Sequence, residues 1–168
     1  MQKFVLHWGE MGTRWGVNRS VAQIHALLYL AEDPLPADVI TETLDIARSN
    51  VSNSLKELQG WGLVSVVHLM GDRRDHFDTK KDIWEILTTI ADTRKRREID
   101  PTIQVLRDCV RELEKDKTTP KYVRKRIENM LEFTNEFSGW YEQIRGLPRK
   151  TLLGLMKMGT KVGKLLAS

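Results

Sequence analysis

A chain of 168 residues, 40% hydrophobic and 30% charged, can bury a core without disulfides or metals, and its single cysteine, Cys109, reads as a helix-face residue rather than a reactive thiol. Net charge is +4, from 27 basic against 23 acidic residues, a mild excess that permits nucleic acid as a partner without demanding it. The N-terminus lacks the charged leader and apolar run of a signal peptide, and no stretch approaches the roughly 18 apolar residues of a membrane helix. A soluble, cytoplasmic protein is expected.

In chain order, residues 3–13 predict a short helix with Phe4, Leu6 and Trp8 available for packing. Ser20 is the expected cap of a second helix over 21–32, which carries Val21, Ile24, Leu27, Leu28 and Leu30 and stops before Pro34. Pro36 sits in the first turn of a third, short helix over 36–44, where its missing N–H is harmless. A fourth helix over 47–59 ends at Gly60 and Gly62. The β-branched run over 63–70 predicts a strand, residues 71–74 a polar turn, and residues 75–79 a return strand.

From Asp82 onward the pattern is helical. Ile83, Trp84, Ile86, Leu87 and Ile90 mark the expected buried face of a helix that ends in the basic run Arg94-Lys95-Arg96-Arg97. Asp100-Pro101 reads as a cap-then-proline restart, followed by Ile103, Leu106, Val110 and Leu113 at three- and four-residue spacing. Thr119-Pro120 restarts again. Val123, Ile127, Met130, Thr134, Phe137, Tyr141 and Ile144 then form a sustained seven-residue repeat that favours side-by-side helix packing. Pro148 opens a last amphipathic helix bearing Leu152, Leu155, Met156, Val162 and Leu166.

The expected fold class is mainly α with a small β-hairpin: helix, helix, turn, helix, strand, basic turn, strand is the winged helix-turn-helix order. On the fourth helix Val51, Leu55 and Leu58 form one apolar stripe. At about 100° per residue, Ser49, Asn53 and Lys56 fall opposite, flanked by Ser52. A helix entering a major groove about 12 Å wide needs such a small polar face, because bulky apolar groups would clash while Asn and Ser can bond base edges or phosphates. Arg73 and Arg74 occupy the hairpin tip, suited to phosphate oxygens or a narrow minor groove. Asp72 and Asp75 flank them, either orienting the guanidinium groups or neutralising the tip. His76 is placed near a phosphate.

Several segments resemble one family in order and spacing: Trp15-Gly16-Val17-Asn18-Arg19-Ser20, Arg48-Ser49-Asn50-Val51-Ser52-Asn53-Ser54-Leu55-Lys56-Glu57-Leu58, Trp61-Gly62-Leu63-Val64 and Gly71-Asp72-Arg73-Arg74-Asp75-His76-Phe77. With the stretch from Asp82-Ile83-Trp84-Glu85-Ile86 to Asp100-Pro101, they are similar to the GbsR branch of MarR-type regulators over about residues 4–115. The resemblance implies a winged-helix fold, a homodimer, promoter DNA as partner and, in some members, response to an osmolyte-related small molecule. It places Ser49, Asn50, Ser52, Asn53 and Lys56 in the recognition helix, with Arg48 at its start, and Arg73 and Arg74 in the wing. One departure is Ala47, which stands near the recognition-helix N-cap where Ser or Asp is usual.

Residues 1–19 are assigned to an N-terminal dimerisation helix, 20–80 to the winged helix, and 81–168 to further dimerisation helices and a region for an unidentified effector. Five tryptophans raise the idea of a cation–π cage, but Trp61 and Trp84 read better as packing residues. His68 and His76 could come opposite each other on the hairpin, yet no cysteine joins them and their spacing matches no zinc signature. The basic runs over 94–97 and 121–126 read equally as DNA-facing or solvated surfaces. No phosphate-binding loop, nucleophile elbow or dinucleotide fingerprint is present, so no enzyme, cofactor or metal is expected. The expected function is a homodimeric, sequence-specific transcriptional regulator, a repressor in the first instance, on a pseudo-palindromic operator. The rivals are a winged-helix protein-interaction module and a small-molecule sensor with a vestigial wing.

Overall fold

A computed structural model of the chain describes residues 1–116 and 118–166, with 159–166 as helical backbone only. Val162 and Leu166 therefore lie outside the described side chains. The contacts group into two units, Met1–Thr93 and Arg94–Ser168, each with its own packing.

In the first unit, helix α1 (Gln2–Arg14) packs along α2 (Arg19–Leu30). Glycines permit the approach: a Cβ on Gly12 would come within 2.4 Å of the Ala22 Cβ, and one on Gly9 within 2.6 Å of Gln23 Cγ. The cap of α2 is Asn18 rather than the expected Ser20, because Asn18 Oδ1 accepts the Ser20 backbone N–H at 2.8 Å. At the far end Lys81 Nζ donates to the Leu28 and Ala31 carbonyls at 2.6 and 2.9 Å, satisfying groups the helix leaves open.

A two-residue strand that the pattern did not suggest, β1 (Leu35–Pro36), leads into α3 (Ala37–Leu44). Asp45, at φ 51°, takes the left-handed turn that short polar side chains tolerate, ending α3 and redirecting the chain into α4 (Arg48–Gly60). Strands β2 (Val64–Val67) and β3 (His76–Thr79) complete an antiparallel sheet of order β1-β3-β2. The expected eight-residue strand is thus cut to four, because β3 offers only four partners. Val67, not His68, stands opposite His76.

The core gathers Ile24 and Leu28 from α2, Ile40 from α3, Val51, Leu55 and Leu58 from α4, and Phe77 from the sheet. At about 1.5–3 kcal/mol per large apolar side chain, this burial outweighs any single polar contact in fixing α4. Helix α5 (Ile83–Arg94) adds Ile86 to the core, with Ile90 packed against it. Ile83 and Leu87, expected inside, are exposed: Ile83 shares the face of Ile86 and Ile90 but is the first residue of the helix, and Leu87 lies about 100° round from Ile86.

In the second unit the expected break at Asp100-Pro101 does not occur. Helical backbone runs on through a π segment, Lys95–Ile99, into α6 (Asp100–Lys115). The wider π turn accommodates Pro101, which lacks an N–H and would crowd a regular turn. Asp100 acts as an ion-pair partner of Lys95 at 2.8 Å rather than as a cap. Hydrogen bonds to Asp100, then to Glu142, hold the Lys95 ammonium above its ordinary pKa.

Helix α7 (Lys121–Arg145) packs on α6. Arg124 Nη2 donates to the Leu113 carbonyl and, at 3.2 Å, to that of Asp116. Asp116 accepts from the Thr118 and Thr119 hydroxyls, which lower its pKa to about 2. The repeat on α7 splits: Val123, Ile127, Thr134, Tyr141 and Ile144 are half-buried, but Met130 and Phe137 are exposed with Phe133 and Trp140. Helix α8 (Arg149–Leu166) follows. No helix of the described residues is long and apolar enough to cross a membrane.

Candidate nucleic-acid interface

The recognition surface begins with α4. Its apolar stripe is held at 0–2% exposure by Val51, Leu55 and Leu58, so the opposite face is fixed outward. Arg48, Ser49, Ser52, Asn53 and Lys56 are all exposed there, as the helical spacing predicts. Ala47 is a bare N-cap with no side-chain hydrogen bond.

Asn50 is placed differently. It is half-buried, and its Nδ2 donates to Ser20 Oγ at 2.9 Å. It therefore ties α4 to the start of α2 and sets the angle of the helix rather than presenting an amide outward. Neither Ser20 nor this bond across 30 residues has a local sequence signal.

The wing between β2 and β3 is organised by one guanidinium. Arg74 Nε and Nη2 donate to the Asp72 carboxylate at 3.0 and 2.6 Å, and its Nη1 donates to Asp38 Oδ2 on α3 at 2.8 Å. The Arg74 backbone N–H also donates to Asp72 Oδ1 at 3.0 Å. Hydrogen bonds from Arg74 hold both carboxyls below the usual carboxylate range, and the carboxylates raise the Arg74 pKa in return. Both readings of Asp72 hold: with Asp38 it orients the Arg74 guanidinium and offsets its charge. Asp75 lies 3.7 Å from His68 instead. Asp38 is the anchor that sequence reasoning missed, 36 residues from its partner.

Arg73 is exposed next to this network and has no ion-pair partner among the described residues. His76, expected at a phosphate, is only 4% exposed. Its strand position turns it inward, where Nδ1 donates to the Arg74 carbonyl at 3.0 Å and Nε2 lies 3.4 Å from Asp72. It supports the wing from beneath and offers no atom to a ligand outside.

Chemically, the unit presents a small-residue polar helix face and one unengaged arginine on a hairpin braced against α3. This surface suits anionic, groove-bearing polymers: the arginine for phosphate, the amide and hydroxyls for base edges.

Comparison with known proteins agrees with this geometry. Residues 15–75, the helix-turn-helix and most of the wing, match the MarR family model. The HTH-type transcriptional repressor GbsR of Bacillus subtilis (strain 168) is 24% identical over 101 residues, covering 60% of this chain. The match spans 56% of that repressor's own length. A crystal structure of a transcriptional regulator superposes with a TM-score of 0.72 at 15% identity, covering 86% of this chain and 95% of that one. At that identity the likeness establishes the fold.

Proposed function

We propose that this chain, a MarR-type winged-helix protein of the GbsR branch, is a DNA-binding transcriptional regulator that represses as a homodimer on a pseudo-palindromic operator. One observation carries the reading. The exposed face of α4 holds Ser49, Ser52, Asn53 and Lys56 with no bulky apolar group, and the braced wing offers Arg73.

In this reading α4 enters the major groove, with Asn53 pairing an adenine edge and the serines bonding bases or phosphates. Arg48 and Lys56 neutralise phosphate charge, and Arg73 reaches the backbone or the adjacent minor groove. Asn50, Arg74 and His76 position these groups rather than touch DNA. Two copies associate through their N- and C-terminal helices, to which α7 contributes the exposed Met130, Phe133, Phe137 and Trp140. Dimerisation brings two recognition helices to successive grooves about 34 Å apart, and repression follows from occluding polymerase on cytoplasmic DNA. A small effector, bound by the dimer, changes that spacing and releases the site.

The test is fluorescence anisotropy with a duplex from the gene's own upstream region and a scrambled duplex, across a salt series. Preference for the native duplex and a steep salt slope are expected. Equal, weak binding to both duplexes refutes the regulator reading and favours a protein-docking module.

A further inference from the structure

The positive charge of the chain is concentrated at one end. Residues 145–168 hold Arg145, Arg149, Lys150, Lys157, Lys161 and Lys164, and Glu142 is the last carboxylate side chain in the sequence. Of the 27 basic residues 21 therefore precede Arg145, against all 23 acidic ones, so the chain up to that point is net negative. The surplus that makes the protein basic lies in the segment that forms α8, outside the helix-turn-helix and the wing.

Helix α8 also has an apolar side. At about 100° per residue, Leu155, Met156 and Met158 lie within about 120° of Leu152, whereas Lys150 and Lys157 lie about 160° and 140° away. Leu155, Met156 and Met158 are exposed, Met156 at 70%, as are both lysines. Helices α6 and α7 pack on each other, but among the described residues α8 makes no comparable contact with any element. An apolar side left in water is unfavourable, and beside a lysine side it marks a surface with a partner.

Charge and apolarity together select that partner. A second copy would set its own basic α8 against this one, which like-charge repulsion opposes; the exposed stripe on α7 already serves the second copy. Duplex DNA matches the charge, but its phosphate surface has no apolar layer to take up leucine and methionine. An anionic bilayer supplies both, with phosphate headgroups at the level of the lysines and acyl chains beneath. The helix lies on such a surface rather than crossing it: Lys157 interrupts its middle, and no helix of the described residues is long and apolar enough to span. Its 18 residues cover about 27 Å in the plane of the headgroups.

We propose that α8 is an interfacial helix that docks this protein on an anionic lipid surface. Leu152, Leu155, Met156 and Met158 enter the acyl boundary, and Lys150 and Lys157 meet the phosphate headgroups. Docking does not depend on the DNA-binding reading.

The full chain is floated with vesicles of equal parts phosphatidylglycerol and phosphatidylcholine, and with vesicles of phosphatidylcholine alone, at low and high salt. Binding to the anionic vesicles is expected to be at least about tenfold tighter than to the neutral ones, and to weaken with salt. Lys150→Gln with Lys157→Gln should weaken it by about 25-fold, roughly fivefold per lysine. Leu155→Gln leaves the charge unchanged and should still weaken it about tenfold, because that side chain no longer enters the acyl boundary. The same variant should sediment and bind duplex DNA as wild type does. If it does not fold, Met156→Gln, at the most exposed apolar position of α8, takes its place. Equal binding to both vesicle types, or to neither, overturns the proposal. So does undiminished vesicle binding by the apolar-side variant, which leaves charge attraction alone. Its conversion from dimer to monomer, or a loss of duplex affinity, also overturns the proposal by assigning the apolar side to a second copy or to DNA.

Discussion

Burial of His25 makes the stability of this fold depend on pH, in a window bounded by the two pKa values of its ring. In the unfolded chain the imidazole titrates at the ordinary value of 6.5, and in the fold at about 4, because burial and then Lys81 disfavour the charged form. Between these values the unfolded state binds the proton and the folded state does not. The slope of unfolding free energy with pH is therefore positive there. Stability from this group is intact above about pH 7 and falls as pH drops from 6.5 toward 4. At about 1.4 kcal/mol for each pH unit separating the two values, the loss reaches about 3 kcal/mol, a large part of the roughly 5–15 kcal/mol of a typical domain. Urea unfolding of wild type and His25→Leu at pH 7, 6, 5 and 4.5 measures it. The carboxylates of Asp38, Asp72 and Asp116, held low by their partners, weaken the fold only at still lower pH and are common to both proteins. The wild-type stability should fall by about 2–3 kcal/mol more than that of the variant across this range. Parallel curves for the two proteins would falsify the claim that His25 is buried as a neutral ring.

Further outcomes follow from the wing, the core and α7. Asp38→Asn removes a negative charge near the DNA surface, so simple Coulomb attraction predicts tighter binding. Loss of the Arg74 anchor predicts weaker binding, and anisotropy should show the latter. Arg73→Ala should reduce the slope of log affinity against log salt by about 0.9, one phosphate's share, whereas an unchanged slope removes Arg73 from the interface. Ile40→Ala empties a fully buried position and should cost about 2–5 kcal/mol in urea unfolding, with a change under about 1 kcal/mol counting against the core as described. Phe137→Glu should convert dimer to monomer in sedimentation experiments, and a dimer that persists excludes this stripe from the association surface.

Some of this is legible in the sequence for plain reasons. The stripe of Val51, Leu55 and Leu58 has helical period and no competing pattern, so the outward set of Ser49, Ser52, Asn53 and Lys56 follows from geometry alone. The wing is announced by a β-branched run and Gly71, which adopts φ 85°. What was hidden is nonlocal. Strand β1 is two residues long and contains Pro36, so it exists only because β3 pairs with it. Likewise the link from Asp38 to Arg74 and that from Ser20 to Asn50 join segments with no sequence relation. Such links give Asn50 and Arg74 partners within the fold, although the Arg74 side chain stays exposed. His76 alternates correctly as a strand residue, but which face is buried depends on register, and the register turned it in. On α7 two apolar stripes coexist, and periodicity cannot say which of them α6 covers.

Whether α4 reads base sequence is decided by selection from a random duplex library with wild type and with Asn53→Ala. Wild type should enrich a pseudo-palindrome with half-sites about 10 base pairs apart, and the variant should lose preference at one position per half-site, at about 1–3 kcal/mol each. No enriched motif, or the same motif from both proteins, contradicts a recognition role for this helix.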